Sequence, residues 1–488
     1  MENSSMSKME FTALLPLVIP AAAAFVVLLI IALKRNTPAV LTLTLLSYIG
    51  GFGTLFIPPT VVSAVPLLIL DHYGRYFMGL IFIANFIVAL LAYRYVRRYT
   101  EHREEFYLLL LLETFGTLVL VTSNHFASFF LGYEILSVSL YALLSYNRLK
   151  PSCVEAGLKY LVVSGVSSAF LLFGMALVYA ELGTMMLPDI VGMIMQGGRM
   201  NLYILSGLSM IIVGIGFKLA WVPFHMWAAD VYQGSPAPVT ASLATVSKIA
   251  IFALLLRYFH GIPVRNYPAL FWIFTLFAGF SMIIGNWLAL MQRNVKRLLA
   301  YSSIAHFGYM LLPFLAGGQG GEAAVLFYLT AYTIATLGNF GVITILSDPG
   351  KETENWEEFS GLMWRRPALA AVFVLMILSL AGIPATIGFV GKIYMLFAGI
   401  DSALWALSIL LVVGTSISFF YYLKLVILQF ARGAADGQVQ SGSGSAGALS
   451  ATFSEGVVMA VLVGLLVVLG VYPTPLIRLI QLMVKVIG

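Results

Sequence analysis

Apolar residues fill this chain in long runs, parted by short polar or charged stretches, from one end to the other. A helix rises about 1.5 Å per residue, so a run of about 20 apolar residues matches roughly 30 Å of hydrocarbon. The pattern predicts fourteen crossings, over 11–33, 38–57, 76–96, 105–123, 124–146, 155–181, 202–227, 236–259, 269–291, 294–316, 321–347, 367–400, 403–430 and 456–483. The segment 38–57 is rich in glycine and threonine, and 105–123 runs into 124–146 almost without a loop. A short surface helix is expected over 187–197, and 432–455 (RGAADGQVQSGSGSAGALSATFSE) reads as a flexible polar loop. The polar, mixed-charge N-terminus ahead of a full-length apolar run predicts a retained first helix, not a cleaved signal peptide. The fold class is therefore an all-α polytopic membrane protein.

Composition agrees. Of 488 residues 60% are hydrophobic and 10% charged, whereas close to a quarter of a soluble domain is charged. The net charge of +6 is not gathered into a basic run with interleaved aromatics, so no nucleic-acid partner is expected. Cys153 is the single cysteine, which excludes an intrachain disulfide and CxxC chemistry. No GxxxxGK[ST] loop, GxGxxG turn or His pair at metal or haem spacing occurs, so no cofactor or metal site is expected here.

Charge placement sets the orientation. Loops after odd-numbered crossings hold fifteen Lys and Arg residues; loops after even-numbered ones, with both termini, hold seven. The bias puts the odd loops in the cytoplasm and both termini outside, as an even number of crossings requires. The remaining five lysines, Lys159, Lys218, Lys248, Lys392 and Lys424, fall inside apolar spans, as do Glu113 and Glu134.

Leu219-Ala220-Trp221-Val222-Pro223 and Leu380-Ala381-Gly382-Ile383-Pro384 share a pattern. Proline within a crossing removes a backbone donor and breaks the helix. Pro223 and Pro384 fall in the seventh and twelfth crossings. Five is an odd offset, so two copies of a five-helix unit would lie inverted to one another. Such a match arises easily by chance where Gly and Pro are common; a lysine beside each break, Lys218 and Lys392, gives it weight.

Intramembrane ionisable groups are costly and mark ion paths more often than not. Glu134 suits a proton carrier, or else a structural salt bridge. Lys218, squeezed between burial and a carboxylate such as Glu134, would release its proton when the partner moves away. Lys248 would be the next station and Lys392 would pass the proton onward. His225 follows Pro223 closely and serves either a relay or the packing of the break. His306, in a polar stripe with Ser302, Ser303 and Tyr309, would line a hydrated channel. Lys159 stands one turn after Glu155, so an interfacial i, i+4 pair explains it as well as function does. Lys424 reads as a snorkelling residue. Glu113, in a short and strongly apolar span, stays open.

The stretches GFKLAWVPFHMWAADVYQGSPAPVTASLATVSKIAIF (216–252), NVKRLLAYSSIAHFGYMLL (294–312) and RRPALAAVFVLMILSLAGIPATIGFVGKIYMLFAG (365–399) resemble the antiporter-like subunits of bacterial respiratory complex I, the proton-pumping NADH:quinone oxidoreductase. The last has the pattern of the subunit N group. The resemblance weakens only at the first two helices, 185–200 and 432–455. It implies a single membrane domain over 1–488: helices 1–3 (1–103), a first five-helix repeat (104–260), a second (266–431), and the loop with the last helix (432–488). It implies that Glu134, Lys218, Lys248 and Lys392 form the proton relay, that a lysine at 392 favours the N or L type over M, and that the long lateral helix of the L type is missing. Glu113 is not part of the usual pattern.

NADH, FMN, iron–sulfur clusters and quinone are implied in partner subunits, with other antiporter-like and small membrane-arm subunits and lipid as neighbours in the bacterial inner membrane. Both termini are expected in the periplasm. Rival readings are a subunit of a multisubunit sodium/proton antiporter, a stand-alone secondary transporter, and a passive assembly subunit.

Overall fold

The computed structural model describes residues 8–57, 62–99, 102–197, 200–347, 352–431 and 452–485. Most of the polar loop expected over 432–455 lies outside the described residues, as do Met1–Ser7, Arg199, Lys351 and Arg432.

The apolar runs fold as helices, as they must where hydrocarbon offers the backbone no partner. Helices α1 (Lys8–Leu33) and α2 (Thr37–Thr54) form a hairpin capped by Asn36, whose side chain accepts from Ala39 N at 3.1 Å. A small antiparallel ribbon, β1 (Val62–Val65) and β2 (Leu68–Leu70), leads into α3 (His72–Tyr99). Then come α4 (Glu104–Thr122), α5 (Phe126–Leu144), α6 (Pro151–Leu182) and the short α7 (Leu187–Gly197), at the position of the predicted surface helix.

α8 (Leu202–Leu219) stops before the proline, and α9 (Met226–Gly234) resumes after it. α10 (Ala237–Ser242), a single π turn over Leu243–Ser247 and α11 (Lys248–Phe259) make one continuous rod. α12 (Pro268–Leu290), α13 (Val295–Ala316) and α14 (Gly318–Leu346) follow, then the single turns α15 (Trp356–Phe359) and α16 (Leu362–Arg365). The chain closes with α17 (Pro367–Ala381), α18 (Ile387–Asp401), α19 (Trp405–Phe430), α20 (Phe453–Val471) and α21 (Thr474–Lys485).

Twelve helices among the described residues are long and apolar enough to cross a membrane. The other two predicted positions hold α2 and the split pair α17–α18. Of the predicted spans, 202–227 ends as a helix at Leu219, short of Pro223, and 367–400 is two helices parted around Pro384. The unbroken span over 456–483 is corrected: it breaks at Tyr472–Pro473 into α20 and α21. In each case the next proline lacks the N–H needed to continue.

The rod α10–α11 is buried except at Arg257, and α13 and α14 nearly so, while α1, α6, α12 and α20 turn apolar side chains outward. α4 lies along α5, α6 along α8, and α12 along α13. Glycines allow the closest of these approaches. A Cβ on Gly174 of α6 would stand 2.6 Å from Gly207 O of α8, and one on Gly207 would stand 2.8 Å from Gly174 O. Lipid gives little hydrophobic push between helices, so such close backbone contact is what holds them. It brings the lysine at the end of α8 against α5 and α6.

Candidate functional site: buried lysines at two helix breaks

Lys218 sits in the last turn of α8, 3% exposed. Ala220 adopts the left-handed conformation (φ 58°) and ends the helix, and the Val222–Pro223 peptide is cis. The freed backbone finds new partners: Trp227 Nε1 donates to Phe217 O at 2.9 Å, and Val222 N donates to Ser281 Oγ at 3.0 Å. The ammonium lies at the carbonyl end of α8, where the dipole favours a cation. It donates to Ser137 Oγ of α5 at 2.8 Å and to Tyr160 OH and Ser164 Oγ of α6 at 2.9 and 2.8 Å. The rings of Tyr133 and Tyr160 flank it with centroids 4.9 and 4.5 Å away.

Glu134 and Lys218 do not form an ion pair; their places on the α5–α6 seam are one turn apart. Glu134 is half-buried and accepts from Ser168 Oγ. Ser168 is four residues beyond Ser164 on α6, and Glu134 is three before Ser137 on α5, so a layer of hydroxyls stands where the sequence predicts direct contact. Ser137, Tyr160 and Ser164 belong to no motif. Yet Tyr160, Ser164 and Ser168 recur at helical spacing along an apolar helix, a polar stripe that marks them.

Lys392 answers the second break differently. It belongs to α18 and reaches back to the carbonyl end of α17, donating to Leu380 O at 2.8 Å and Ala381 O at 3.1 Å. These carbonyls are freed because the helix ends there. Gly382 (φ 87°) supplies the left-handed turn, and a Cβ on it would lie 2.9 Å from Lys392 Cδ. The glycine thus serves both the turn and the lysine's path.

Lys248 opens α11 directly after the π turn, a distortion that is frequent at functional sites. It is 1% exposed and donates to Ser303 Oγ of α13 at 2.8 Å, with the Phe307 ring centroid 4.7 Å away. The predicted polar stripe on α13 faces both remaining lysines. Ser303 takes Lys248, and Lys392 Nζ stands 5.6 Å from the Tyr309 ring centroid. His306 lies between, its Nδ1 2.6 Å from Tyr328 OH and its Nε2 3.2 Å from Tyr422 OH.

The remaining candidates separate from these. His225 precedes α9, is nearly buried, and its Nδ1 has no partner among the described residues. Lys159 pairs with Glu155 at 2.7 Å, as its spacing predicts, but also with Asp230 of α9 at 2.6 Å, so it spans two helices. Lys424 is exposed, with Nζ 5.0 Å from the Trp356 ring centroid. Glu113 is fully buried in α4 and accepts from Ser242 Oγ of α10 at 2.6 Å.

Other cations within the fold do have carboxylates. Arg257 forks onto Asp71 at 2.8 and 2.9 Å. Burial alone would raise the Asp71 carboxyl, but the guanidinium and the Gly74 N–H hold it below the usual range. Lys296, counted by its sequence position among loop charges, is fully buried: it meets Glu352 at 2.7 Å and the carbonyls of Gln233 and Ser235 at 3.1 and 2.5 Å. Burial raises Glu352 too, yet Lys296 and Lys150, with bonds from Lys296 and Tyr95, bring it below its ordinary value. Nothing local in the sequence joins Lys296 to Glu352, 56 residues away.

A body of membrane-length helices, two of them broken with a buried lysine at each break, defines an antiporter-like polytopic membrane protein. The chain belongs to the family described as NADH:quinone oxidoreductase/Mrp antiporter, whose pattern matches residues 123–418. It is 45% identical over 491 residues to NADH-quinone oxidoreductase subunit N of Nitrosospira multiformis, covering 97% of this chain and 96% of that one. It is 44% identical over 427 residues to the subunit N of Methylococcus capsulatus, covering 85% of each. Among solved structures it is similar to a chain of respiratory complex I from Thermus thermophilus with bound aureothin. The TM-score is 0.80 at 29% identity, covering 95% of this chain and 98% of that one.

Proposed function

We propose that the chain is the antiporter-like subunit N of a proton-translocating NADH:quinone oxidoreductase, and that Glu134, Lys218, Lys248 and Lys392 carry its protons. One observation carries this reading: the three lysines are held by hydroxyls, carbonyls and aromatic faces, while Lys159, Arg257 and Lys296 each hold a carboxylate. A lysine among neutral partners can lose its proton without stranding a buried anion; one locked to a carboxylate cannot.

The Glu134–Lys218 geometry then reads as a switch in its open position. A displacement of about one helical turn's reach along α5–α6 would exchange the serine layer for direct contact and hold the proton on Lys218. Parting the two would release it toward Lys248, with the α13 stripe at Ser303, His306 and Tyr309 leading on to Lys392. His225 and Lys159 sit at the edges of this line and support the position of α9.

The two units of five helices, 104–260 and 266–431, gain support from packing, since each opens with a tightly joined pair, α4–α5 and α12–α13, and each contains one broken helix. Redox chemistry belongs in this reading to partner subunits that would hold NADH, FMN, iron–sulfur clusters and quinone. Other antiporter-like and small membrane-arm subunits would flank the chain, in a bacterial inner membrane with both termini periplasmic.

The test is proton pumping by the assembled complex in vesicles. Lys218→Ala and Glu134→Ala should each assemble, as seen on native gels, and lower pumping more than about tenfold, the scale expected for loss of a proton-transfer group. Wild-type pumping in both variants would overturn the assignment.

A further inference from the structure

Glu113 lies in mid-α4 with no exposure and an environment unlike that of the paired carboxylates. Its Oε1 is 2.6 Å from Ser242 Oγ, and its Oε2, equally buried, has no partner among the described residues. Glu352, by comparison, receives Lys296, Tyr95 and the Ala237 N–H. An ionised carboxylate with one hydroxyl partner and no cation costs several kcal/mol in such a place.

The hydrogens of the cluster can be counted. Ser242 has one, yet its Oγ lies within reach of both Glu113 Oε1 and Asn85 Oδ1, at 2.6 and 3.2 Å. Asn85 Nδ2 donates to Thr114 Oγ1 at 2.8 Å, and Thr114 Oγ1 spends its own hydrogen on Leu110 O at 2.7 Å. With the Asn85 amide turned as it stands, a Glu113 carboxylate takes the Ser242 hydrogen and the buried Asn85 carbonyl goes without. If Glu113 is a carboxylic acid, it donates to Ser242 and Ser242 donates to Asn85, so the acid and the hydroxyl each place their hydrogen on an acceptor.

We propose that Glu113 is a further proton-holding group of this subunit: a neutral carboxylic acid whose protonation sets the hydroxyl that Ser242 of α10 turns toward Asn85 of α3. Ser242 stands on the same rod as Lys248, six residues earlier, so loss of the Glu113 proton reverses the hydrogen bond between α4 and the helix of the central lysine and withdraws the one to α3. Among the described residues the titratable side chain joined to this cluster is Tyr48 of α2, whose OH is 3.1 Å from the Thr114 Oγ1 that accepts from Asn85. The use of this proton rests on the translocation reading above; its location does not.

Infrared difference spectroscopy of the assembled complex separates the two. At neutral pH the wild type should show a protonated-carboxyl band that Glu113→Gln removes and Ser242→Ala, which leaves Glu113 in place, shifts. Addition of NADH should bleach the band, and Glu113→Gln should lower pumping by less than Lys218→Ala does. Absence from the wild type of any band removed by Glu113→Gln overturns the proposal. So does a band unmoved by NADH together with wild-type pumping in Glu113→Gln, which would make Glu113 a fixed structural acid. A wild-type complex that oxidises NADH without moving protons, its Glu113 band present, would instead overturn the translocation reading.

Discussion

A buried ammonium needs acceptors, and what distinguishes the lysines of this chain is the kind they have. Lys218 has three hydroxyls, Lys392 two carbonyls and Lys248 one hydroxyl. These stabilise the charged form by a few kcal/mol without fixing it, since charge-assisted bonds to neutral groups contribute about 1.5–3 kcal/mol each. Arginine would keep the charge but cannot give up a proton. Lys218→Arg should therefore assemble yet pump no better than Lys218→Ala; full pumping in a vesicle assay would show that charge alone is required. Gly382→Ala places a Cβ 2.9 Å from Lys392 Cδ in a left-handed turn, with an expected cost of about 1–3 kcal/mol. Thermal inactivation of the purified complex should begin at lower temperature, and pumping should fall further than the loss of stability explains, because the lysine leaves its carbonyls.

Among elements, the broken helices keep their shape because their surroundings supply what the proline removes. α9 is tied to α8 by Trp227, and the pair is fixed from outside by Ser281 and by Lys159 and Arg297, which both hold Asp230 of α9, with Arg297 Nη1 2.6 Å away. α8 is pressed on α6 through Gly174 and Gly207. Gly207→Val would drive side-chain atoms into the α6 backbone, at about 1–3 kcal/mol for overpacking, and move Lys218 away from Ser164. Reduced assembly with a larger loss of pumping in the assembled fraction is expected.

The start of the α10–α11 rod is pinned by Glu352, which accepts from Ala237 N at 3.0 Å while paired with Lys296. Because the folded carboxyl lies below its ordinary 4.5, its contribution is fully present above that value and is lost as pH falls through the folded one. Thermal stability of the wild type should therefore drop below about pH 4.5, while Glu352→Gln should be less stable at pH 7 by roughly 3 kcal/mol and much flatter with pH. Equal acid sensitivity in both proteins, followed by calorimetry, would exclude the pair as the cause.

At the scale of the molecule, the buried α10–α11, α13 and α14 form a core that contains Lys248 and His306, and the outer helices present apolar side chains to lipid or to neighbouring subunits. A core built this way has no soluble counterpart to fall back on. The chain expressed alone and purified in detergent should neither exchange protons for sodium nor pump, whereas tagged chain from native membranes should bring NADH:quinone oxidoreductase activity with it. Ion exchange by the isolated chain in vesicles would favour a stand-alone transporter.

Much of this architecture is legible before any coordinates. Twenty apolar residues in hydrocarbon have helix as their outcome, so the crossings and the lysines within them follow from the order of residues alone; so do the breaks at Pro223 and Pro384, because a missing N–H is a local fact. What could not be read is which groups face one another. Lys296 stands at the edge of its crossing, where a solvated charge is the ordinary outcome, yet it is buried against Glu352; Lys159, spaced for a local pair with Glu155, also joins two helices. Glu134 and Lys218, expected in contact, stand apart behind Ser137, Ser164 and Ser168. The sequence by itself determined that charges would lie within the membrane, since burial depends on each segment's own hydrophobicity. Only the tertiary structure decided what holds them, because a hydrogen bond requires about 3 Å between atoms that the chain order leaves as many as 81 residues apart.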